Sequence, residues 1–198
     1  MVNLYGYAEV SPAGRWIFSG RMVPNPDREW DPDAPELRPE ALLQSVHQEL
    51  AAILTGTGSI RSSEPYTPVV PRRGLPEDLS PELDAWLLQA DGGAGSSFTW
   101  FTAGEAAGFG WADRIMRRRA YVHPKAAPLF AGCPRGFPWA SWPPGITISI
   151  AGWSRDGVKV EWLESYAEIV PEFVDDVLPQ LSRLGPPDRV RLIVEASW

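Results

Sequence analysis

VKVEWLESYAEIVPEFVDDVLPQLSRLGPPDRVRLIVEA, residues 158–196, reads as strand, helix, strand, and that order decides the fold class. Val158, Val160 and Trp162 alternate with Lys159, Glu161 and Leu163, the two-residue period of a strand with one buried face. Asp156-Gly157 ahead of it is a hairpin-turn pair, so Ile146–Ile150, with its β-branched residues, is the expected partner strand. Val170, Phe173, Val174, Val177, Leu178, Leu181 and Leu184 then fall on one helical stripe. Pro179 is expected to kink that helix and Gly185-Pro186-Pro187 to end it. Arg189–Ala196 closes the chain as a strand with Val190, Leu192 and Val194 on one face.

Working back to the start, residues 2–10 (VNLYGYAEV) put Val2, Leu4, Ala8 and Val10 on one face and Tyr5, Tyr7 and Glu9 on the other. A turn at Ser11–Gly14 leads to a second strand over Arg15–Met22. Four prolines make 24–36 a loop. The spacing of Leu42, Leu43, Val46, Leu50, Ile53 and Leu54 predicts a helix over Pro39–Leu54, stopped at Gly56. Ser80-Pro81-Glu82 opens a short helix that ends near Asp91-Gly92-Gly93. Residues 97–102 are a strand and Ala103–Phe109 a short helix, with Arg114–Ala120 read as further helix. Six prolines between 124 and 144 exclude long regular elements there. The expected fold is therefore α+β: a single domain over 1–198 with a mainly antiparallel four- to five-stranded sheet and two longer helices. Residues 111–145 form a long irregular Pro/Trp-rich insertion, basic and aromatic.

Composition narrows the class. The 198 residues are 44% hydrophobic and 22% charged, close to the globular average. No run approaches the roughly 18 apolar residues of a membrane helix, and no signal sequence is visible. A single cysteine, Cys133, excludes an internal disulfide framework, and the expected location is cytoplasmic. Ten tryptophans make the chain tryptophan-rich, suited to a thick core or to stacking surfaces. The net charge of −7 argues against general nucleic-acid binding. Its distribution is uneven: residues 114–155 carry +7 with no Asp or Glu, and the remainder carries −14.

Catalytic motifs are incomplete. His47-Gln48-Glu49 mimics the H-x-E of zinc deaminases, which also need a paired P-C-x-x-C that one cysteine cannot supply. Cys133 and His123 could form a nucleophile–base pair, but no family signature surrounds the cysteine. Gly56-Thr57-Gly58 follows a helix, whereas a phosphate loop follows a strand. No cofactor or metal site is predicted. Glu161, Glu164, Glu168, Glu172, Asp175 and Asp176 could hold a divalent metal for acid–base work, or form an acidic docking surface. The candidate ligand site is an anion site in the basic segment: Arg117, Arg118, Arg119, Tyr121, His123, Arg135, Trp139 and Trp142. Arginine forks bind phosphates and aromatic faces stack on bases. The alternative is that these arginines pair with the protein's own acids and the aromatics are core.

Gly74-Leu75-Pro76, Asp78 and Ser80-Pro81-Glu82, followed by Trp100-Phe101-Thr102 with Glu105, resemble a pattern of uncharacterised proteins of bacteria and their phages. The Val158–Tyr166 strand, the helix after it and Val190-Arg191-Leu192-Ile193 are similar too. The resemblance implies a common fold and a phage or mobile-element connection, with no function attached. Because no catalytic constellation is complete, with two histidines and a lone cysteine, the expected function is a non-catalytic binding protein, acting on a partner protein through an acidic or tryptophan-rich surface as an inhibitor, immunity or anti-defence factor would. Two alternatives stay open, a binder of a nucleotide-like anionic small molecule and a divalent-metal enzyme using the Glu161–Asp176 carboxylates.

Overall fold

The computed structural model describes residues 2–57, 65–91, 96–148 and 154–197. The strands are β1 Asn3–Val10, β2 Ile17–Phe18, β3 Met22–Pro24, β4 Leu37–Pro39, β5 Leu43–Ser45, β6 Ser96–Thr102, β7 Ile115–Val122, β8 Val158–Ser165 and β9 Val190–Ser197. The helices are α1 Gln48–Thr55, α2 Pro81–Asp91, α3 Ala103–Ala107, α4 Tyr166–Ile169 and α5 Leu178–Leu184. Two compact units emerge, one of residues 1–57, 67–109 and 172–198, the other of 58–66 and 110–171. Among the described residues no helix is long and apolar enough to cross a membrane.

The fold is α+β. In the first unit an antiparallel sheet runs β2-β1-β9-β6, with β5 also paired to β1. β1 and β9 share eight residue pairs, from Asn3 opposite Ser197 to Val10 opposite Val190. Both alternations hold. Leu4, Ala8, Leu192 and Val194 fill one face, which also carries Phe101, in edge contact with Phe173 at 6.5 Å. Tyr5, Tyr7, Glu9, Arg191, Ile193 and Glu195 share the other. Leu83 and Leu87 of α2 cover that second face, packed with Tyr7, Phe98 and Ile193. Both leucines are fully buried, and each contributes about 1.5–3 kcal/mol by leaving water. Gly6 leaves little room for a side chain: a Cβ there would lie 3.0 Å from that of Leu43.

Two expectations change in this unit. The predicted Pro39–Leu54 helix is β4, β5 and the shorter α1. The edge of β1 claims Leu43–Ser45, beginning with the Leu42 amide on the Gly6 carbonyl at 2.8 Å. The helix starts only after His47, whose Nδ1 caps the Leu50 amide at 3.2 Å. Apolar residues at 42, 43 and 46 satisfy either reading, and sheet pairing decides between them. The continuous helical stripe expected up to Leu184 is broken by one wide π-helical turn over Phe173–Val177, directly ahead of α5. The Leu178 amide reaches back to the Phe173 carbonyl, and Pro179 then sits in the first turn of α5, where its missing N–H costs nothing.

In the second unit β7 and β8 form an antiparallel ribbon, from Ile115 opposite Ser165 to Val122 opposite Val158. Arg114–Ala120 is therefore strand, not helix: Met116, Ala120 and Val122 are buried at a two-residue period. The expected partner of β8, Ile146–Ile150, lies partly outside the described residues, and 146–148 carry no strand. The proline-rich segment runs beside β8, with the Leu163 amide on the Pro134 carbonyl (2.9 Å) and the Gly136 amide on the Leu163 carbonyl (2.8 Å). Phe130, Phe137, Val160 and Trp162 form the core, with Trp142 packed against it.

Candidate ligand-binding site

The strand geometry of β7 distributes the predicted anion site. Arg117, Arg119 and Tyr121 point to one side and Arg118 to the other. Arg117 Nη1 meets Glu161 Oε2 at 3.1 Å. Arg118 donates to the Tyr66 hydroxyl at 2.9 Å and pairs with Glu164 at 3.5 Å. Arg135 lies near enough to Glu168 to help hold its carboxyl below the usual range, after the larger effect of hydrogen bonds from Ser165. Arg119 is exposed and makes no ion pair among the described residues. Trp139 and Trp142 both lie on Phe137, at 4.3 and 5.4 Å between ring centroids, and Trp142 Nε1 donates to the Ile146 carbonyl at 3.0 Å. Tyr121 and His123 line a cavity of about 430 Å3 with Ser154 and Asp156, and none of the four arginines reaches it. Cys133 lines a different one, with Phe130 and Lys159, so the structure does not join it to His123.

The carboxylates do not converge either. Glu161 and Glu164 face the arginines of β7, and Glu168 caps α4 from within, accepting the Ser165 amide at 2.7 Å. Among the described residues no three His, Cys, Asp or Glu side chains are grouped as a metal site would require.

The tyrosine face of the main sheet brings together what spacing alone did not. Gln44, Tyr5, Glu195 and Phe98 form one row across β5, β1, β9 and β6. Tyr7, Ile193 and Trp100 form the next, then Glu9, Arg191 and Thr102. The last row is locked. Arg191 Nε bonds Glu9 Oε2 at 2.7 Å, while Nη1 and Nη2 bond the Asp78 carboxylate (2.7 Å) and carbonyl (2.9 Å). Glu9 Oε1 accepts the Ser80 amide at 2.7 Å, which ties the start of α2 to the sheet. Trp16 and Trp100 lie on the guanidinium at 4.1 and 5.5 Å. Glu9 and Arg191 are 0% and 1% exposed, a buried pair whose charges and hydrogen bonds are matched.

The opposite end of the same face is open. There Tyr5, Tyr7, Gln44, Trp86 and Glu195 wall a cavity of about 430 Å3, closed on its far side by Asp27, Arg38 and Glu40 of the β3–β4 ribbon and its connecting turn. Glu195 is 8% exposed. Burial pushes its carboxyl up from the ordinary glutamate value, and a hydrogen bond from Ser96 offsets only part of that. Burial, then the neighbouring Glu195 charge, pushes the Tyr7 hydroxyl far above its ordinary range. No lysine or arginine among the described residues pairs with Glu195. Buried, perturbed acids on aromatic-walled cavities are where ligands and chemistry are found. One signal in the sequence pointed here: Arg191 and Glu195 are charged residues on the same side of an otherwise apolar strand. Compared with protein-family models, curated proteins and solved structures, the chain matches none.

Proposed function

We propose that this protein is a non-catalytic binding protein that takes a small organic molecule into the cavity between the main sheet and the β3–β4 ribbon. The observation that supports it is the convergence of Tyr5, Tyr7 and Trp86 on the buried Glu195 carboxyl around a space of ligand size. A sequestering role of this kind agrees with the phage or mobile-element connection that the sequence resemblance implies. Action on a partner protein rests on that resemblance and on the acidic and tryptophan-rich character of the sequence. The anion reading draws less from the geometry, because Arg117, Arg118 and Arg135 face Glu161, Glu164 and Glu168.

Thermal unfolding and tryptophan fluorescence against cationic, neutral and anionic metabolites test the reading. A ligand at a hundred times its dissociation constant adds roughly 2.7 kcal/mol to stability, a melting shift of several degrees. The expected result is a shift that Trp86→Ala removes. A shift that survives Trp86→Ala but vanishes on charge reversal of Arg118 and Arg119 would move the site to the basic segment. No shift in any class would leave the partner-protein reading in its place.

A further inference from the structure

The tyrosine face holds two buried glutamates, and they differ in one respect. Glu9 has its counter-charge, the Arg191 guanidinium at 2.7 Å, and a backbone amide on its second oxygen. Glu195 stands on the neighbouring strand of the same face, nearly as deep, with a serine hydroxyl and no cation among the described residues. A buried carboxylate is costly unless a positive charge meets it. Among the described residues lining the cavity, Arg38 is the one cationic side chain, and its charge acts on the Tyr7 hydroxyl. The acids outnumber it, since Asp27, Glu40 and Glu195 all line the space, and Glu40 is engaged by Arg21 at 3.1 Å. The remaining wall holds three aromatic rings, Tyr5, Tyr7 and Trp86, beside Val23, Pro39, Ala41 and Gln44. Rings attract cations through their negative faces, and combined with a carboxylate they form the recognition set for ammonium groups.

Resting on the binding reading above, we propose that the ligand is a small organic cation, an ammonium or guanidinium compound, whose charge meets Glu195 and whose carbon atoms lie against Tyr5, Tyr7 and Trp86. The bound ligand then supplies for Glu195 what Arg191 supplies for Glu9. The Ser96 hydroxyl orients the carboxylate.

Calorimetric titration with a panel of tetramethylammonium, choline, methylguanidinium and spermidine tests this, alongside the uncharged carbon analogue of choline. In that analogue a tert-butyl group replaces the trimethylammonium. At least one monocation should bind, and its uncharged counterpart should bind roughly tenfold more weakly or worse. Glu195→Gln, checked for folding by its melting curve, should bring charged and uncharged probes to similar affinity. Trp86→Leu keeps an apolar wall without the ring, so it should weaken the cation and spare the uncharged analogue. Equal binding of the charged and uncharged probes by the native protein would overturn the cation proposal and leave the cavity as a binding site. So would a Glu195→Gln variant that binds the cation unchanged. If every cation fails while a neutral or anionic metabolite still shifts the melting curve through Trp86, the cation proposal falls alone. If nothing binds at the cavity, both readings fall.

Discussion

Replacing Glu9 by Gln leaves the Arg191 guanidinium fully buried with its buried counter-charge gone. Breaking one side of such a pair costs about 3–5 kcal/mol, and Glu9→Gln should lower the chemical-denaturation midpoint accordingly. Asp78, whose side chain is 65% exposed, should matter far less, because water replaces it. Glu195 predicts the opposite sign. Its folded carboxyl binds a proton more tightly than the unfolded value of 4.5 allows. Unfolding therefore releases a proton above that value, and stability falls as pH rises towards the folded pKa. Glu195→Gln keeps the shape and removes this penalty. The variant should gain on the native protein as pH goes from about 4 to about 8, read as a widening gap in melting temperature. A gap that stays flat with pH would mean that Glu195 is not perturbed by its burial.

At the scale of elements, two short helices are set by the same device. Thr102 with Glu105, and Ser165 with Glu168, form reciprocal capping boxes at the ends of β6 and β8. Each stops a strand and starts a helix within one residue, which is how α3 of five residues and α4 of four exist at all. Ser165→Ala should cost about 1 kcal/mol. The Glu168 carboxyl is held low by the bonds from Ser165, so its contribution is present above the ordinary glutamate pKa and is lost as pH falls. The deficit of Ser165→Ala should accordingly shrink in acid, measured by denaturant unfolding at neutral and acidic pH. A deficit independent of pH would place the loss in the hydroxyl's bond to the Glu168 amide alone. The wide turn at Phe173–Val177 shows a second local device, a helix that loosens by one residue in the turn directly before Pro179.

For the whole molecule, the charge asymmetry is softened in the second unit but not removed: residues 58–66 and 110–171 carry nine basic and six acidic side chains, net +3, against −10 for the remainder. The +7 segment folds against Glu161, Glu164 and Glu168, which lie outside that segment in sequence and across the ribbon from it in space. The aromatics around Phe137 include Phe130 in the core, Trp142 packed against it, and Trp139, which lies on the same ring yet is largely exposed. The amino-acid sequence by itself determined the elements whose pattern is local: the two faces of β1 and β9, the start of α2 at Ser80-Pro81, the strand–helix junction at Thr102, and hence the α+β class. Side-chain period and capping chemistry act over a few residues, so they are legible without knowing any neighbour. Only the tertiary structure decided which strand pairs with β8, whether Arg114–Ala120 is helix or strand, and where the apolar run after Pro39 turns from sheet to helix. Those depend on register between residues far apart in the chain, and a pattern such as Leu42, Leu43 and Val46 satisfies two periods until a partner strand selects one. The candidate site belongs to the second class. Tyr5, Gln44, Trp86 and Glu195 come from four separate elements, and only the pairing of β5, β1 and β9 beneath α2 sets a buried acid, with no counter-charge among the described residues, beside Tyr5, Tyr7 and Trp86.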